Sequence, residues 1–234
     1  MTDVPVDDPD TLRRILANTE ALLLDFDGPI CSVFAGFPAH IVADQLRDVL
    51  TEGGYHILPD EVAKSKDPFD VLKYANTLGD EKARITETVF RAHEVEAAAT
   101  ARATAGAKEL IRQWKSTGHK LAIVSNNSVA AIETYLSLHN LTQQFDYISA
   151  RAGSDTALLK PHPHLINQAI ATMQALPQSC TLVGDSRTDI EAATAASVRS
   201  IGYANKFEKL HKLKRAKADA IVTGINTISL ALTL

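Results

Sequence analysis

Short apolar runs alternate, along much of the chain, with segments whose apolar residues recur at helical spacing. Residues 21–24 (Ala-Leu-Leu-Leu) contain no polar side chain, a pattern typical of a strand covered on both faces, as in a parallel sheet. The predicted strands are 21–24, 121–124, 145–148, 181–183, 200–203 and 220–222. Helices are predicted at 11–17, through Trp114, at 129–138, after Pro163, at 189–196 and at 206–217. This alternation predicts an α/β fold, with a parallel sheet flanked by helices.

Residues 38–100 depart from this alternation. Their apolar side chains recur at helical spacing, and glycines and prolines such as Gly53 and Pro59 separate the segments. The pattern predicts an all-helical insertion between the first strand and the rest of the sheet. We therefore predict two units: an α/β core formed by residues 1–30 and 105–234, and a helical cap with its linkers formed by residues 31–104.

Composition limits the classes of partner. The 234 residues are 45% hydrophobic, enough to bury a full core, and the net charge is −4. This balance gives no general attraction to nucleic acid or to an anionic membrane, and no apolar run reaches the roughly 18 residues of a spanning helix. We predict a cytoplasmic monomer or homodimer that binds neither nucleic acid nor membrane. The lysines of 206–217 are interpreted as a solvated helix face.

Four aspartates follow two of the predicted strands. Asp25 and Asp27 come after residues 21–24, and Asp185 and Asp189 come after the strand that ends at Val183. Ligands of open α/β sheets bind beyond the carboxyl ends of the strands, and four carboxylates gathered there require a cation to stay ionised. Since the ligands are oxygens without cysteine or histidine, the predicted ion is Mg²⁺. All four aspartates are predicted to take part in the metal site.

Two further segments offer groups that suit phosphate. Ser125 and Asn126 end a strand and precede a helix, so hydroxyl, amide and backbone N–H donors converge there. Either Asn127 or Ser128 is expected to cap that helix, which leaves Ser125 for phosphate. Lys160 stands before a proline-rich stretch that should hold its ammonium in place. We predict that Ser125, Asn126 and Lys160 bind phosphate.

The spacing of Asp25 and Asp27 suits a two-step hydrolysis. Both side chains project the same way from extended backbone, and Gly28 permits a tight turn after them. One carboxylate can attack a phosphoryl group while the other transfers protons. Taken alone, Asp27-Gly28 would be interpreted as an ordinary turn after a strand, and the other three segments make the catalytic interpretation the better one.

Four motifs together resemble the haloacid dehalogenase (HAD) superfamily. They are Asp25-Phe26-Asp27-Gly28, Ser125, Lys160 and Gly184-Asp185-Ser186-Arg187-Thr188-Asp189. Segments such as Lys160-Pro161-His162-Pro163 are most similar to the phosphoglycolate phosphatase and β-phosphoglucomutase branch. The resemblance implies a HAD-like Rossmannoid core with a helical cap of the first type.

The same resemblance implies a role for each site residue. Asp25 is expected to be the nucleophile and Asp27 the general acid and base. Mg²⁺ is expected to bind Asp25, the backbone carbonyl of Asp27 and Asp185, with Asp189 in support. One departure is Pro29, where many relatives have Thr or Val, and it stiffens the segment that leads to the cap.

The leading interpretation is Mg²⁺-dependent hydrolysis of a small phosphorylated metabolite through an aspartyl-phosphate intermediate. A phosphomutase acting on a phosphorylated sugar would use the same nucleophile, and a non-catalytic phosphate-binding protein is the alternative from another class. Phosphonate cleavage would need a Schiff-base lysine in the cap, and the second acid, Asp27, disfavours dehalogenation. The sequence does not rank the candidate cap contacts, which are the turn at 53–56, His40, Lys64 and Lys66.

Overall fold

A parallel β-sheet forms the centre of the protein. The structure, a computed structural model, describes residues 4–232. The strands in this part of the chain are Ala21–Leu24 (β1), Cys31–Ser32 (β2), Arg102–Ala103 (β3), Lys120–Ser128 (β4), Tyr147–Arg151 (β5), Cys180–Gly184 (β6), Arg199–Tyr203 (β7) and Ala220–Val222 (β8). Six of them form one sheet in the order β5-β4-β1-β6-β7-β8, and every neighbouring pair is parallel.

The first strand lies inside this sheet, and all four of its residues are buried. It pairs with β4 on one side and β6 on the other, so that Leu24 lies opposite both Ile123 and Val183. The carboxyl ends of these three strands therefore meet at one edge. The acids of the predicted site come after β1 and β6, and its serine lies in the last residues of β4.

Helices cover both faces of the sheet. The helices are Pro9–Leu16 (α1), Ala39–Glu52 (α2), Asp60–Ala63 (α3), Pro68–Thr77 (α4), Asp80–Ala99 (α5), Ala107–Ser116 (α6), Val129–Leu138 (α7), His164–Met173 (α8), Arg187–Ala195 (α9), Phe207–Ala216 (α10) and Ile225–Leu232 (α11). Trp114, Tyr135 and Ile228 belong to the apolar cluster on one face, and Ile166 and Ala193 to the cluster on the other. This layered arrangement confirms the α/β fold class. Within residues 4–232, no helix is both long and apolar enough to span a bilayer.

Helices α2 to α5, here called the α2–α5 bundle, have an apolar cluster of their own. Its centre includes Leu46, Leu72 and Phe90, all shielded from solvent. The short antiparallel pair of β2 and β3, which the sequence pattern did not predict, connects the bundle to the sheet. Next to this pair, the hydroxyl of Thr104 donates to the carbonyl of Gly28 at 2.5 Å. The division at residues 31–104 stays a prediction.

Several element ends differ from the prediction. The fifth strand begins and ends later than the predicted 145–148, and its last residue is the buried Arg151. The predicted helix 189–196 begins instead at Arg187, because Ser186 is its N-cap and accepts from the backbone N–H of Asp189. Ser128 caps α7 by accepting from Ala131 N at 3.3 Å, one of the two alternatives expected.

Candidate active site

Three of the four predicted acids form a tight cluster at the carboxyl edge of the sheet. Carboxylate oxygens of Asp25, Asp185 and Asp189 all lie within 4.8 Å of one another. Asp25 follows β1 and its backbone N–H donates to Val183 O at 2.9 Å, which continues the pairing of β1 with β6. The cluster thus results from neighbouring strand ends, as the sequence pattern predicts.

Lys160 lies against the same cluster. Its side chain is 2% exposed, and Nζ is 3.0 Å from Asp25 Oδ1 and 2.5 Å from Asp189 Oδ1. The ammonium also donates to the carbonyl of Val124 at 2.9 Å. Burial alone would lower the pKa of Lys160, but Asp189 and Asp25 outweigh burial and raise it. Lys160 is therefore a fixed positive charge at the acidic cluster.

Asp189 is fully buried and is held by two different groups. Its Oδ2 accepts from the backbone N–H of Ser186 at 3.0 Å and from the Ser186 hydroxyl at 2.6 Å, while Oδ1 faces Lys160. Together with the bond from Asp189 N to the Ser186 hydroxyl, these contacts form a capping box at the start of α9. The carboxylate of Asp189 consequently fixes both the helix and the lysine.

Two acids of the cluster, Asp25 and Asp185, resist ionisation because they are largely buried. Burial raises the pKa of Asp25 to about 7, against the lowering effect of Lys160, and the charges of Asp189 and Asp185 raise it further. Burial likewise raises the pKa of Asp185 to about 6, with Lys209 opposing the change. A cation bound near these carboxylates would lower their pKa values and favour their ionised form.

Asp27 lies outside the group of three carboxylates. Its Oδ1 accepts from the backbone N–H of Val33 at 2.9 Å. Burial raises the pKa of Asp27 to about 6, an effect that the Val33 bond reduces and the charge of Asp25 increases. The side chain nevertheless lines the same cavity as Asp25. Its place is next to the cluster and not within it.

The irregular end of β4, residues 125–128 and here called the serine loop, carries the other predicted phosphate groups. Ser125 is almost fully buried, and a hydrogen bond from it lowers the pKa of Asp25. The amide of Asn126 and the backbone of Lys160 bond reciprocally: Asn126 Nδ2 donates to Lys160 O at 3.0 Å, and Lys160 N donates to Asn126 Oδ1 at 2.8 Å. This exchange holds the lysine segment next to the serine loop.

Gly28 is required where the backbone approaches the acids. Its φ of +108° lies in a region that L-residues rarely adopt, and a Cβ at this position would overlap the Asp185 side chain. A tight turn after a strand, as predicted from the sequence, accounts for the φ value but not for this contact. Gly28 thus lets the turn after Asp27 lie directly against Asp185.

One residue of the basic helix does not have the predicted solvated position. Lys209, in the first turn of α10, forms an ion pair with Asp185 Oδ2, and its side chain is about one quarter exposed. The interpretation of 206–217 as a wholly solvated face is therefore wrong at this residue. Because α10 begins just beyond the carboxyl end of β7, its first turn reaches the edge of the sheet where the acids lie. The position of Lys209 at the start of a helix that follows a strand end could have indicated this contact. The many lysines of the helix indicated a solvated face instead.

The site opens into a cavity of about 350 Å³ between the sheet edge and the α2–α5 bundle. All seven predicted site residues line it: Asp25, Asp27, Ser125, Asn126, Lys160, Asp185 and Asp189. From the other side it is lined by Phe34, Ala39, Lys66, Asp67, Pro68, Phe69 and Lys73. Of the candidate cap contacts, Lys66 is part of this lining. Lys64 instead pairs with Asp60 at 2.5 Å on the exposed surface.

The donor set fits a hard divalent cation. Three carboxylates, two of them buried, bring oxygen atoms close to one another, and the neighbouring negative charges raise the pKa values of Asp25 and Asp185. Oxygen-only ligands are typical of Mg²⁺ or Ca²⁺ sites. Asp25, Asp185 and Asp189 are the side chains that would hold such an ion, and Asp27 would not contribute its carboxylate.

Comparisons with known proteins agree with this arrangement. The model of the haloacid dehalogenase-like hydrolase family matches residues 22–203, well over half of the chain. A phosphoglycolate phosphatase from Colwellia psychrerythraea is 32% identical over 96 residues, which cover 41% of this chain and 41% of that protein. The chain spans about half the length of the curated relatives it matches.

Solved structures share the fold across most of the chain. The structure of a predicted phosphatase from Clostridium acetobutylicum has a TM-score of 0.70 at 19% identity, covering 92% of this chain and 99% of that one. A β-phosphoglucomutase from Clostridium difficile has a TM-score of 0.64 at 18% identity, covering 92% and 97%. At these identities the likeness shows a shared fold. On the family match and the shared fold, the chain belongs to the haloacid dehalogenase-like hydrolase family.

Proposed function

We propose that this protein hydrolyses a small phosphomonoester with Mg²⁺, through an aspartyl-phosphate intermediate on Asp25. The observation that carries the proposal is the convergence of a carboxylate pair, a buried lysine and a serine loop on one cavity of about 350 Å³. That volume suits a phosphorylated metabolite and not a macromolecule. The phosphatase names among the relatives support the same reaction class.

Asp25 is the proposed nucleophile because its carboxylate is held in one orientation. Phe26 N donates to Asp25 Oδ1 at 2.8 Å, and Lys160 Nζ lies 3.0 Å from the same oxygen. In the first step a carboxylate oxygen of Asp25 attacks phosphorus and the ester P–O bond breaks. In the second step water attacks phosphorus, and the acyl phosphate returns to free carboxylate and inorganic phosphate.

Asp27 is the proposed proton carrier in both steps. With its pKa raised to about 6, it can hold a proton near neutral pH and pass it to the leaving alkoxide oxygen. The resulting carboxylate then takes a proton from the attacking water. Its bond from Val33 N aims the side chain into the cavity beside Asp25.

Lys160 and the serine loop are proposed to bind the phosphoryl oxygens. Lys160 supplies a positive charge that burial keeps free of competing water. When bound to Asp25, Asp185 and Asp189, Mg²⁺ would neutralise the charge of the carboxylates and of the phosphoryl group. The α2–α5 bundle is proposed to act as a cap that excludes water from this reaction.

Transfer of the phosphoryl group to a sugar is a second candidate, favoured by the cations on the bundle side of the cavity. Lys66 and Lys73 line it opposite the acids, where a second anionic group of a substrate would lie. A mutase would then release a rearranged sugar phosphate instead of inorganic phosphate. Product analysis with and without a sugar bisphosphate primer separates the two reactions.

Turnover of a panel of phosphomonoesters with MgCl₂ tests the proposal. The unmutated protein should release inorganic phosphate from at least one compound, and Asp25→Asn should release none while its circular dichroism spectrum stays unchanged. Full activity of Asp25→Asn would reject Asp25 as nucleophile. Absence of turnover by the unmutated protein across the panel would favour a non-catalytic phosphate-binding protein.

A further inference from the structure

A buried ion triad connects the α2–α5 bundle to the sheet. Arg151, the last residue of β5, has a side chain only 1% exposed. Its Nη1 donates to Glu87 Oε1 at 2.6 Å, and its Nη2 forms an ion pair with Glu94 Oε2. Both glutamates belong to α5 and are themselves buried. The arrangement places two anions and one cation away from water.

The triad also contacts the loop that contains the proposed phosphate groups. Glu94 accepts from Asn127 Nδ2 at 3.0 Å and from Ser128 N at 3.1 Å. Arg151 Nε donates to the backbone carbonyl of Asn126 at 3.2 Å. Three consecutive residues of the loop are therefore held by side chains from α5 and β5.

These contacts replace hydrogen bonds that the sheet does not supply. The pairing of β4 with β5 shifts register between Ser125 and Ser128, so the ladder is interrupted at this loop. Buried backbone groups at such an interruption need other partners. Glu94 and Arg151 provide them directly after Ser125, the proposed phosphate ligand.

The two glutamates of the triad differ in what they contact. Glu87 contacts Arg151 and lies 4.0 Å from Arg91, which is also on α5. Glu94 contacts Arg151 and, in addition, two groups of the loop. A purely structural connection between bundle and sheet would use both glutamates alike. Only Glu94 has the contacts to set the conformation of the loop.

We infer that Glu94 and Arg151 are positioning residues that hold the loop of Ser125, Asn126 and Asn127 in its phosphate-binding conformation, an inference that rests on the proposed function. The bundle helix α5 thereby contributes to the phosphate site without touching phosphate. Substitution of Glu94 should weaken phosphate binding, whereas the same substitution of Glu87 should not.

Calorimetric titration with inorganic phosphate in the presence of MgCl₂ tests this inference on the unmutated protein, Glu94→Gln and Glu87→Gln. Each variant removes one carboxylate charge from the same guanidinium. Glu94→Gln should raise the dissociation constant for phosphate by about tenfold or more, as expected for a displaced binding loop. Glu87→Gln should stay within about twofold of the unmutated protein, and thermal unfolding compares the stability of the two variants.

Equal phosphate affinities in the two variants would overturn the inference and leave the proposed function intact. If the unmutated protein neither binds phosphate nor turns over any phosphomonoester, the proposed function fails and the inference fails with it. Should Glu94→Gln not fold, Glu94→Asp and Glu87→Asp are compared in the same way, since both keep the charge and shorten the side chain. A weaker phosphate affinity confined to the Glu94 variant supports the inference.

Discussion

The Nζ atom of Lys160 lies 3.0 Å from Oδ1 of Asp25, and both side chains are almost completely removed from solvent. The same ammonium lies 2.5 Å from Asp189 Oδ1. One cation thus pairs with two buried acids and compensates their charge. Lys160 is therefore expected to affect both the stability of the protein and the charge state of the proposed nucleophile.

Lys160→Met should therefore affect both stability and activity. In metal-free buffer, removal of one partner from a buried pair should lower the free energy of unfolding by about 3–5 kcal/mol. With Mg²⁺ present, kcat/KM should fall by about a hundredfold or more, as for loss of a charge that stabilises the transition state. Urea titrations and steady-state kinetics measure the two effects.

Lys64→Met is the matched control for this lysine. Lys64 pairs with Asp60 on the exposed surface, and such pairs contribute about 1 kcal/mol or less. If Lys160→Met loses no more stability than Lys64→Met, the pairing of Lys160 with the acids does not stabilise the folded protein as proposed.

Gly28→Ala should displace Asp185, because a Cβ at Gly28 would overlap its side chain. Gly79 has a similar φ of +103° but open space around its Cβ position. Both alanine variants should lose about 1–2 kcal/mol from the positive φ alone. Only Gly28→Ala should also weaken Mg²⁺ binding in a calorimetric titration. Equal Mg²⁺ affinities in Gly28→Ala and Gly79→Ala would contradict the close approach.

Lys209→Met should increase affinity for Mg²⁺. The ammonium of Lys209 pairs with Asp185, so a divalent ion must displace it to reach that carboxylate. For a partly exposed pair worth about 1 kcal/mol, its removal should tighten Mg²⁺ binding roughly fivefold. Lys212→Met, on the exposed face of the same helix, should leave the affinity unchanged. An unchanged or weaker affinity of Lys209→Met, measured by calorimetry, would show that the pair does not oppose metal.

Asp146 provides a pH-dependent contribution to stability at the opposite end of the sheet. Burial would raise the pKa of Asp146, but the bond from Leu121 N and the ammonium of Lys115 outweigh burial and lower the pKa below the usual value for aspartate. A lowered pKa in the folded state means that the contribution is complete above the pKa of the unfolded chain and disappears as pH falls through the folded pKa.

Asp146→Asn should thus be less stable than the unmutated protein at pH 6, and the difference in Tm should shrink as pH falls toward 3. Thermal unfolding of both proteins across this range measures the effect. A Tm difference that stays constant with pH would mean that the charge of Asp146 contributes nothing and that its side chain acts through packing.

The sequence predicted the features that depend on neighbouring residues. The apolar run at 21–24 indicated the buried strand β1, and the helix after β4 indicated a cap at Asn127 or Ser128. The strand-end rule of α/β folds then brought Asp25, Ser125 and Asp185 toward one edge, whereas Lys160 was added by the resemblance to the HAD family. Each of these inferences uses a local pattern or a general rule of sheet topology.

Features that depend on distant residues were not predicted. Arg151 is the last residue of a strand and is buried, although a charged side chain is normally expected at the surface. Its charge is compensated by Glu87 and Glu94, which are more than fifty residues away in the sequence. Lys209 is one of several lysines on α10, and only the three-dimensional arrangement separates it from the others. The choice of Lys66 and not Lys64 for the cavity likewise depends on how α3 and α4 are oriented.

The central claim, a covalent phosphoryl intermediate on Asp25, is tested most directly by chemical trapping. Enzyme turning over a phosphomonoester with MgCl₂ is quenched and treated with borohydride, which reduces an acyl phosphate of aspartate to homoserine, and the peptides are sequenced by mass spectrometry. The account predicts homoserine at position 25, and at none of the positions 27, 185 and 189. Steady turnover of the same sample with aspartate unchanged at position 25 would contradict it.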